Sequence, residues 1–248
     1  MLITNNLDRF REAILALPLH RPLTKEELLV EPLLMERSGK VEMYYAPHNE
    51  YANPGAKVVI VGLTPGWSQM EIAIGEARTC LAEGLGDEEV CRRAKEAARF
   101  AGPMRSHLTG MLDELGLNRK LQLASCGELF DSGQTLLHTT SVLRYPVFVN
   151  QRNYNGTQPS LLAHPLLKRE ARLTVEEQLD YMREALIIPL GVSVENVLRQ
   201  FAQEEKLEEE RCLWGFPHPS GANGHRHRQF AEHYETMKER LNAYFISL

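Results

Sequence analysis

The sequence is poor in cysteine and lacks the spacings that mark a metal–thiolate site. Its four cysteines, Cys80, Cys91, Cys126 and Cys212, are scattered along 248 residues, and no two of them form a Cys-x-x-Cys pair. A zinc or iron–sulfur site built on thiolates is therefore poorly supported, and we expect no metal and no other cofactor. Scattered thiols are typical of a reducing compartment, which favours a cytoplasmic protein.

Long hydrophobic runs are also missing. No stretch reaches the ~18 consecutive apolar residues that a membrane-spanning helix requires. Residues 1–6 lack the long apolar segment behind basic residues that marks a secretory signal. We therefore expect a protein without a membrane partner.

Positive charge is in deficit. There are 28 Lys and Arg residues against 33 Asp and Glu, and the formal net charge is -5. This balance argues against a protein that depends on non-specific nucleic-acid binding, although it permits a local basic patch. Internal repeats and low-complexity tracts are absent, and no shift in composition marks a boundary. We expect a monomer with a single domain over residues 1–248, in which residues 1–38 form a helical N-terminal extension.

Apolar runs alternate with helical patterns along the chain. The clearest run, Val58–Gly62, has four apolar residues in succession, as in a parallel strand covered on both faces. The alternation predicts an α/β fold, a three-layer sandwich with a mostly parallel central sheet flanked by helices. We expect further strands at 41–45, 134–142, 186–190 and 211–215. We expect helices at 68–82, 87–100, 104–115, 174–185, 193–203 and 224–245, and a long loop at 146–162.

Two Pro/Gly turns follow buried runs and carry polar side chains. The first is Gly62-Leu-Thr-Pro-Gly66, and the second begins at His218 as His-Pro-Ser-Gly-Ala-Asn. Ligands of open α/β sheets bind at the carboxyl ends of the strands. Two such ends in one domain predict a single pocket between them.

These two turns, with other segments in order, resemble motifs of the uracil-DNA glycosylase superfamily. The other segments are Tyr45-x-Pro47 with Tyr51-Ala52, Arg99-Phe-Ala-Gly102, the strand from His138 to Pro146, and Ile187-Ile-Pro-Leu-Gly191. Each motif is weak alone, but together they cover residues 40–245 in the family's order. The resemblance implies a divergent member of this superfamily.

The resemblance implies a hydrolytic DNA base glycosylase of DNA repair, which flips a uracil-like or damaged base out of single- or double-stranded DNA. It gives catalytic roles to His218, as a donor to the departing base, and to Thr64 in the first turn. The base-binding residues would be Gly62, Leu63, Pro65, Gly66, Trp67, Phe100 and Ser141. The DNA-binding residues would be Ser220, Gly221, Ala222, Asn223, Arg226 and Arg228.

Three positions depart from the superfamily's pattern and keep other functions open. Thr64 stands where an Asp or Asn often positions water, and Ser141 stands where an amide reads the base edge. Ala222 is too small to fill the gap that a flipped base leaves. An alternative is therefore a member that binds a nucleobase, nucleotide or single-stranded nucleic acid without cleavage. A third hypothesis is an enzyme that acts on a free nucleoside or nucleotide.

Structural roles compete with these functional ones. His218 between two prolines can simply hydrogen-bond the loop backbone, and Thr64 can cap a helix or a turn. Phe100 and Trp67 can be core residues, Ser141 an ordinary strand hydroxyl, and the arginines solvated surface charge. A metal site formed by His218, His225, His227 and His233 is disfavoured, because helix positions i and i+2 point to different faces.

Overall fold

A computed structural model describes residues 1–100, 102–131 and 135–246 of the chain. Ala101 of the Phe-Ala-Gly segment and Gln134, the first residue of an expected strand, lie outside these residues. The chain groups into two compact units, each made of three segments. Unit 1 comprises Met1–Ala52, Thr64–Arg99 and Leu143–Thr174, and unit 2 comprises Asn53–Leu63, Phe100–Val142 and Val175–Leu248. The expectation of a single domain stays a prediction.

Helices and strands alternate along the described chain. The helices are α1 (Asn6–Leu15), α2 (Lys25–Leu28), α3 (Trp67–Ala82), α4 (Asp87–Ala98), α5 (Gly102–Leu115), α6 (Leu117–Lys120), α7 (Pro165–Glu176), α8 (Leu179–Met182), α9 (Val192–Gln203) and α10 (Arg226–Ile246). The strands are β1 (Leu34–Ser38), β2 (Val41–Tyr44), β3 (Val58–Gly62), β4 (Leu137–Ser141), β5 (Val147–Val149), β6 (Arg152–Asn153) and β7 (Leu186–Pro189). None of the described helices is long and apolar enough to cross a membrane.

The expected parallel sheet forms in unit 2. Its order is β4-β3-β7, with Gly62 opposite Ser141 and Val61 opposite Pro189. Every residue of the three strands is buried, which explains the continuous apolar runs of β3 and β7, whereas β4 buries four polar residues after Leu137. The mixed α/β character is therefore confirmed, with parallel strands in this sheet.

A second, antiparallel sheet forms in unit 1 with the order β1-β2-β5-β6. This sheet corrects two expectations, because residues 34–38 were expected to be helical and residues 146–162 to be a loop. In β1, Ser38 pairs with Val41 across a turn in which Gly39 has a φ of +60°. Pairing with a neighbouring strand overrides the helix propensity of a sequence such as Leu-Met-Glu-Arg.

The strand expected at 211–215 and the helix expected at 174–185 also differ from the structure. The expected strand 211–215 is reduced to a 3-10 turn and one parallel bridge, in which Cys212 pairs with Ile187. A turn at Gly215, with a φ of +85°, ends the extended segment there. The single helix expected at 174–185 was also wrong: α7 begins at Pro165 and ends at Glu176, and the short helix α8 follows at Leu179–Met182. Proline is well suited to the first turn of a helix, which explains the early start of α7.

Candidate functional site

The His218 loop lies against the carboxyl end of β7 in unit 2. The Gly191 N–H donates to the Phe216 carbonyl over 2.9 Å, and the Leu190 N–H donates to the Val61 carbonyl over the same distance. A Cβ at Gly191 would lie 3.2 Å from the Cβ of His218. Gly62 follows Val61 in β3, so His218 and the start of the first turn share one edge of the parallel sheet.

The His218 ring is held in one tautomer by its own loop. Its Nδ1 accepts a hydrogen bond from the Ser220 N–H at 3.3 Å, which leaves the proton on Nε2. Burial lowers the pKa of His218 below its usual value of 6.5. The imidazole is therefore a neutral Nε2–H donor at physiological pH.

Four side chains support the same loop: His107 and Gln229, which the sequence did not single out, and Asn223 and Arg226, which it did. His107 on α5 donates from Nδ1 to the Pro219 carbonyl at 3.0 Å and accepts at Nε2 from Arg226 at 3.2 Å. Because a guanidinium can only donate, this assignment of the two ring nitrogens follows. Asn223 donates to the His218 carbonyl at 3.1 Å and to Gln229 Oε1 at 2.9 Å. The contact of His107 with the loop could not be inferred from the sequence, because the two are far apart along the chain.

A cleft of about 320 Å³ opens beside His218 within unit 2. Its lining includes the amino end of α9, the amides Asn223 and Gln229, and two carboxylates, Glu195 and Glu232. Glu195 accepts from the Gly215 N–H at 2.8 Å and pairs with Arg199 on its own helix. No lysine or arginine belongs to the described lining, so the cleft favours an uncharged polar ligand over a phosphate.

The first turn is divided between the two units. Gly62 and Leu63 belong to unit 2, where a Cβ at Gly62 would lie 3.5 Å from the Ser141 hydroxyl. Gly62 and Ser141 are thus neighbours at the end of the parallel sheet, and Ser141 is buried.

Thr64 and the residues after it belong to unit 1, where they form hydrogen bonds with the backbone and side chains of neighbouring segments. The Thr64 hydroxyl donates to the Tyr145 carbonyl at 2.9 Å and accepts from the Val147 N–H at 3.1 Å. At the start of α3, the Gly66 N–H donates to Gln69 and the Trp67 N–H donates to Asn153. Pro65 is buried beside them. These contacts fit the structural role of Thr64 in a turn.

The two candidate stacking rings have different surroundings. Phe100 is 8% exposed and packs edge-on against Phe130, with ring centroids 6.4 Å apart, in the core of unit 2. Trp67 is only partly buried, and the Lys25 ammonium lies 5.8 Å from its ring centroid. Phe100 is therefore a core residue of unit 2, whereas Trp67 is not fully buried in a core. Their roles in base binding stay predictions.

The expected DNA-binding residues lie on or after the His218 loop. Gly221 and Ala222 are exposed, and Ser220 accepts from the Ala222 N–H at 3.2 Å. Arg226 is partly buried against His107, whereas Arg228 is exposed and pairs with Glu232 at 3.5 Å. Within the described chain, no group of three His, Cys, Asp or Glu side chains is arranged to hold a metal ion.

Gly191→Ala is expected to destabilise the protein by about 2–3 kcal/mol. Gly191 has a φ of +86° and a ψ of 164°, a region essentially restricted to glycine, and its Cβ would press on His218. Gly116→Ala is the matched control, because Gly116 has a φ of +88° in the αL region and open space among the described residues. It is expected to cost about 1 kcal/mol. Denaturant unfolding measures both, and equal losses would contradict the close approach at Gly191.

Fold and site together define an α/β protein with a histidine-bearing cleft at the carboxyl edge of a parallel sheet. The sequence is 39% identical over 239 residues to the "Uncharacterized protein YoxB" of Bacillus subtilis (strain 168). That match covers 96% of this chain and 93% of YoxB, so the chain belongs to the YoxB family. No family model and no solved structure matches the sequence.

Proposed function

We propose that this chain is a DNA base glycosylase-like hydrolase, a divergent member of the uracil-DNA glycosylase superfamily. It would hydrolyse the N-glycosidic bond of a uracil-like or damaged base during DNA repair. The observation that carries the proposal is His218, a neutral Nε2–H donor held by its own loop beside a cleft at the edge of the sheet. The proposal includes the superfamily's three-layer sandwich, a cytoplasmic location, a monomeric state and no cofactor.

Cleavage of an N-glycosidic bond leaves negative charge on the departing base. A preorganised donor in a water-poor pocket stabilises such charge best, and His218 Nε2–H has this character. Gly191 and Val192, at the amino end of α9, also line the cleft. The positive end of that helix dipole would favour the same developing charge.

The polar groups of the cleft support a base as the ligand. Gln229 brings an amide to the lining, which supplies the type of edge-reading group that Ser141 lacks. Asn223 holds Gln229 Oε1 and thereby orients this amide. Each of the two carboxylates of the lining pairs with an arginine of its own helix, Glu195 with Arg199 and Glu232 with Arg228, which reduces their repulsion of the charge that develops on a departing base.

Thr64 is assigned a positioning role in this proposal. Its hydroxyl donates its proton to the Tyr145 carbonyl and accepts a hydrogen bond from the Val147 N–H with one lone pair. These contacts hold Thr64 in place within unit 1, and one lone pair of its hydroxyl stays available to orient a water.

Binding without cleavage is the second candidate function. Two residues favour binding without cleavage. The Thr64 hydroxyl donates to a backbone carbonyl and so has no proton left for catalysis, and the small, exposed side chain of Ala222 cannot fill the gap that a flipped base leaves. The pocket would then hold a modified base, a nucleotide or single-stranded nucleic acid. The third candidate, hydrolysis of a free nucleoside or nucleotide, is favoured if activity ignores strand length.

The experiment is an abasic-site assay on fluorescent oligonucleotides. Single and double strands carry uracil, hypoxanthine or xanthine, and alkali cleaves the abasic product. We expect cleavage of at least one modified strand, and none of an unmodified strand. Saturable, salt-dependent binding without any abasic product would overturn the glycosylase proposal in favour of binding. Equal activity on free nucleosides would favour the third candidate.

A further inference from the structure

The cleft beside His218 contains a carboxylate to which the proposed function gives no catalytic role. The Glu195 N–H donates to the Gly191 carbonyl at 3.1 Å and thereby closes the first turn of α9. The Glu195 side chain is 16% exposed, and it lines the cleft together with His218. The cleft therefore combines a neutral hydrogen-bond donor with a largely buried carboxylate.

The Glu195 carboxylate is held in a fixed position from two sides. Its Oε1 accepts hydrogen bonds from Nε of Arg199 at 2.8 Å and from Nη2 at 2.7 Å, and its Oε2 accepts from the Gly215 N–H at 2.8 Å. The Arg199 guanidinium in turn lies 4.5 Å from the ring centroid of the buried Trp214, a cation–π contact. Trp214 and Gly215 belong to the segment that leads into His218, so the carboxylate is preorganised relative to that loop.

Glu195 keeps the capacity to accept one more hydrogen bond. A carboxylate offers about four lone-pair sites, and the Gly215 N–H is the one described donor to Oε2. One lone pair of Oε2 is therefore open to a water molecule in the cleft. Glu232, the other carboxylate of the lining, differs in that its side chain is 57% exposed and its contact with Arg228 is 3.5 Å long. Glu195 is thus the carboxylate of the lining that is both buried and fixed.

The proposed reaction requires a group with this chemistry. While negative charge develops on the departing base, positive charge develops on the sugar, and a water must lose a proton as it attacks. In glycoside hydrolysis a carboxylate commonly meets both needs. The Thr64 hydroxyl meets neither, because it is a neutral, weakly basic group that donates its proton to the Tyr145 carbonyl. His218 acts on the base, so activation of the water is left to another residue.

We propose that Glu195 is the general base that activates the attacking water. Its carboxylate accepts a proton from the water while the water oxygen bonds to C1′ of the deoxyribose. The bond between C1′ and the base nitrogen breaks, and its electron pair leaves with the base, where the His218 Nε2–H stabilises the charge. The proton on Glu195 then passes through solvent to the released base, and the products are a free base and an abasic sugar. This inference rests on the proposed function and names the residue that activates its water.

The test is a single-turnover measurement of base release by Glu195→Gln. Glutamine keeps the length of the side chain and an oxygen for the Gly215 N–H, but it cannot take a proton from water. Release is expected to slow at least ~100-fold, the usual contribution of a general base. In Glu195→Ala, sodium formate is expected to restore part of the rate, because formate is a small carboxylate that can occupy the space of the missing one. Sodium chloride of equal ionic strength is expected to restore none.

Glu209→Gln is the matched control, because Glu209 contacts the same Arg199 guanidinium at 3.3 Å but lies outside the described lining of the cleft. It is expected to stay within about a factor of two of the wild type. If the wild type releases base and Glu195→Gln does so at the same rate, the role of Glu195 alone is overturned. It is also overturned if formate has no effect on Glu195→Ala and Glu195→Asp, which keeps a carboxylate, is no faster than Glu195→Gln. Absence of base release by the wild type overturns the proposed function together with this role.

Discussion

Lys95→Met, which replaces a buried lysine of α4, is expected to raise the free energy of unfolding by roughly 2 kcal/mol at pH 7. The lowered pKa of Lys95, about 7 instead of 10.5, means that the folded state disfavours the ammonium by roughly 4 kcal/mol at this pH. Methionine has a similar length and no charge. Two hydrogen bonds that the Lys95 ammonium donates are lost, to the His48 carbonyl at 3.2 Å and to Asn49 Oδ1 at 3.4 Å, at about 1 kcal/mol each. The difference between these effects is the expected gain.

The gain depends on pH with a defined sign. Between pH 7 and 10.5 the unfolded lysine binds a proton that the folded lysine does not, so wild-type stability from this group rises with pH. The penalty is fully present below pH 7. The advantage of Lys95→Met is therefore largest at pH 7 and below. It disappears at about pH 9, above which the lost hydrogen bonds leave the variant less stable than the wild type. The difference between the two proteins isolates Lys95 from the thiols and phenols that also titrate.

Urea unfolding at several pH values measures this prediction, with Arg92→Met as the control. Arg92 pairs with Glu89 and Glu96 on the surface of α4, and its loss is expected to cost less than about 1 kcal/mol without a change of slope between pH 7 and 10. A loss of stability in Lys95→Met at pH 7 would contradict the penalty of burying this ammonium, because it would mean that the ammonium is stabilised by its neighbours.

His218→Ala is expected to lower the rate of base release at least ~100-fold. Removing one donor that faces developing negative charge typically costs two to three orders of magnitude in rate. Because the side chain is only partly buried, the fold is expected to survive the change. His218→Gln keeps an N–H donor and is expected to retain more activity than His218→Ala. Single-turnover kinetics on the cleaved strand measure both variants.

The matched control is His227→Ala, which removes an exposed imidazole from the first turn of α10. It is expected to stay within about a factor of two of the wild type. The pH profile adds a second readout, because burial lowers the pKa of His218. The neutral donor then persists below pH 6.5, and the rate is expected to fall only at more acidic pH. Undiminished release by His218→Ala would remove His218 from the mechanism.

The parallel sheet was predictable because its strands are buried on both faces. Val58–Gly62 and Leu186–Pro189 are short apolar runs that end at glycine or proline. The start and end of such a strand can therefore be read from the sequence. The antiparallel sheet was not predictable, because β1 and β5 depend on partners elsewhere in the chain. Local propensity in residues 34–38 favours a helix, and only the pairing with β2 decides otherwise.

The same division applies to the candidate site. His218 and Gly191 stand in recognisable turns, so the sequence singled out both motifs. His107 has no motif, and its contact with Pro219 joins residues that are far apart along the chain. The burial of Lys95 is hidden for the same reason, since an ordinary lysine on an amphipathic helix gives no sign that it is buried. Non-local contacts of this kind require the fold.

The central claim is that His218 drives release of a base from DNA. Chromatographic detection of the free base, after incubation of a uracil-containing single strand with the wild type or with His218→Ala from parallel preparations, tests it most directly. We expect free uracil, or another free base when hypoxanthine or xanthine replaces uracil, from the wild type and at least ~100-fold less from the variant. Intact strands with folded wild-type protein, or equal release by both proteins, would contradict it.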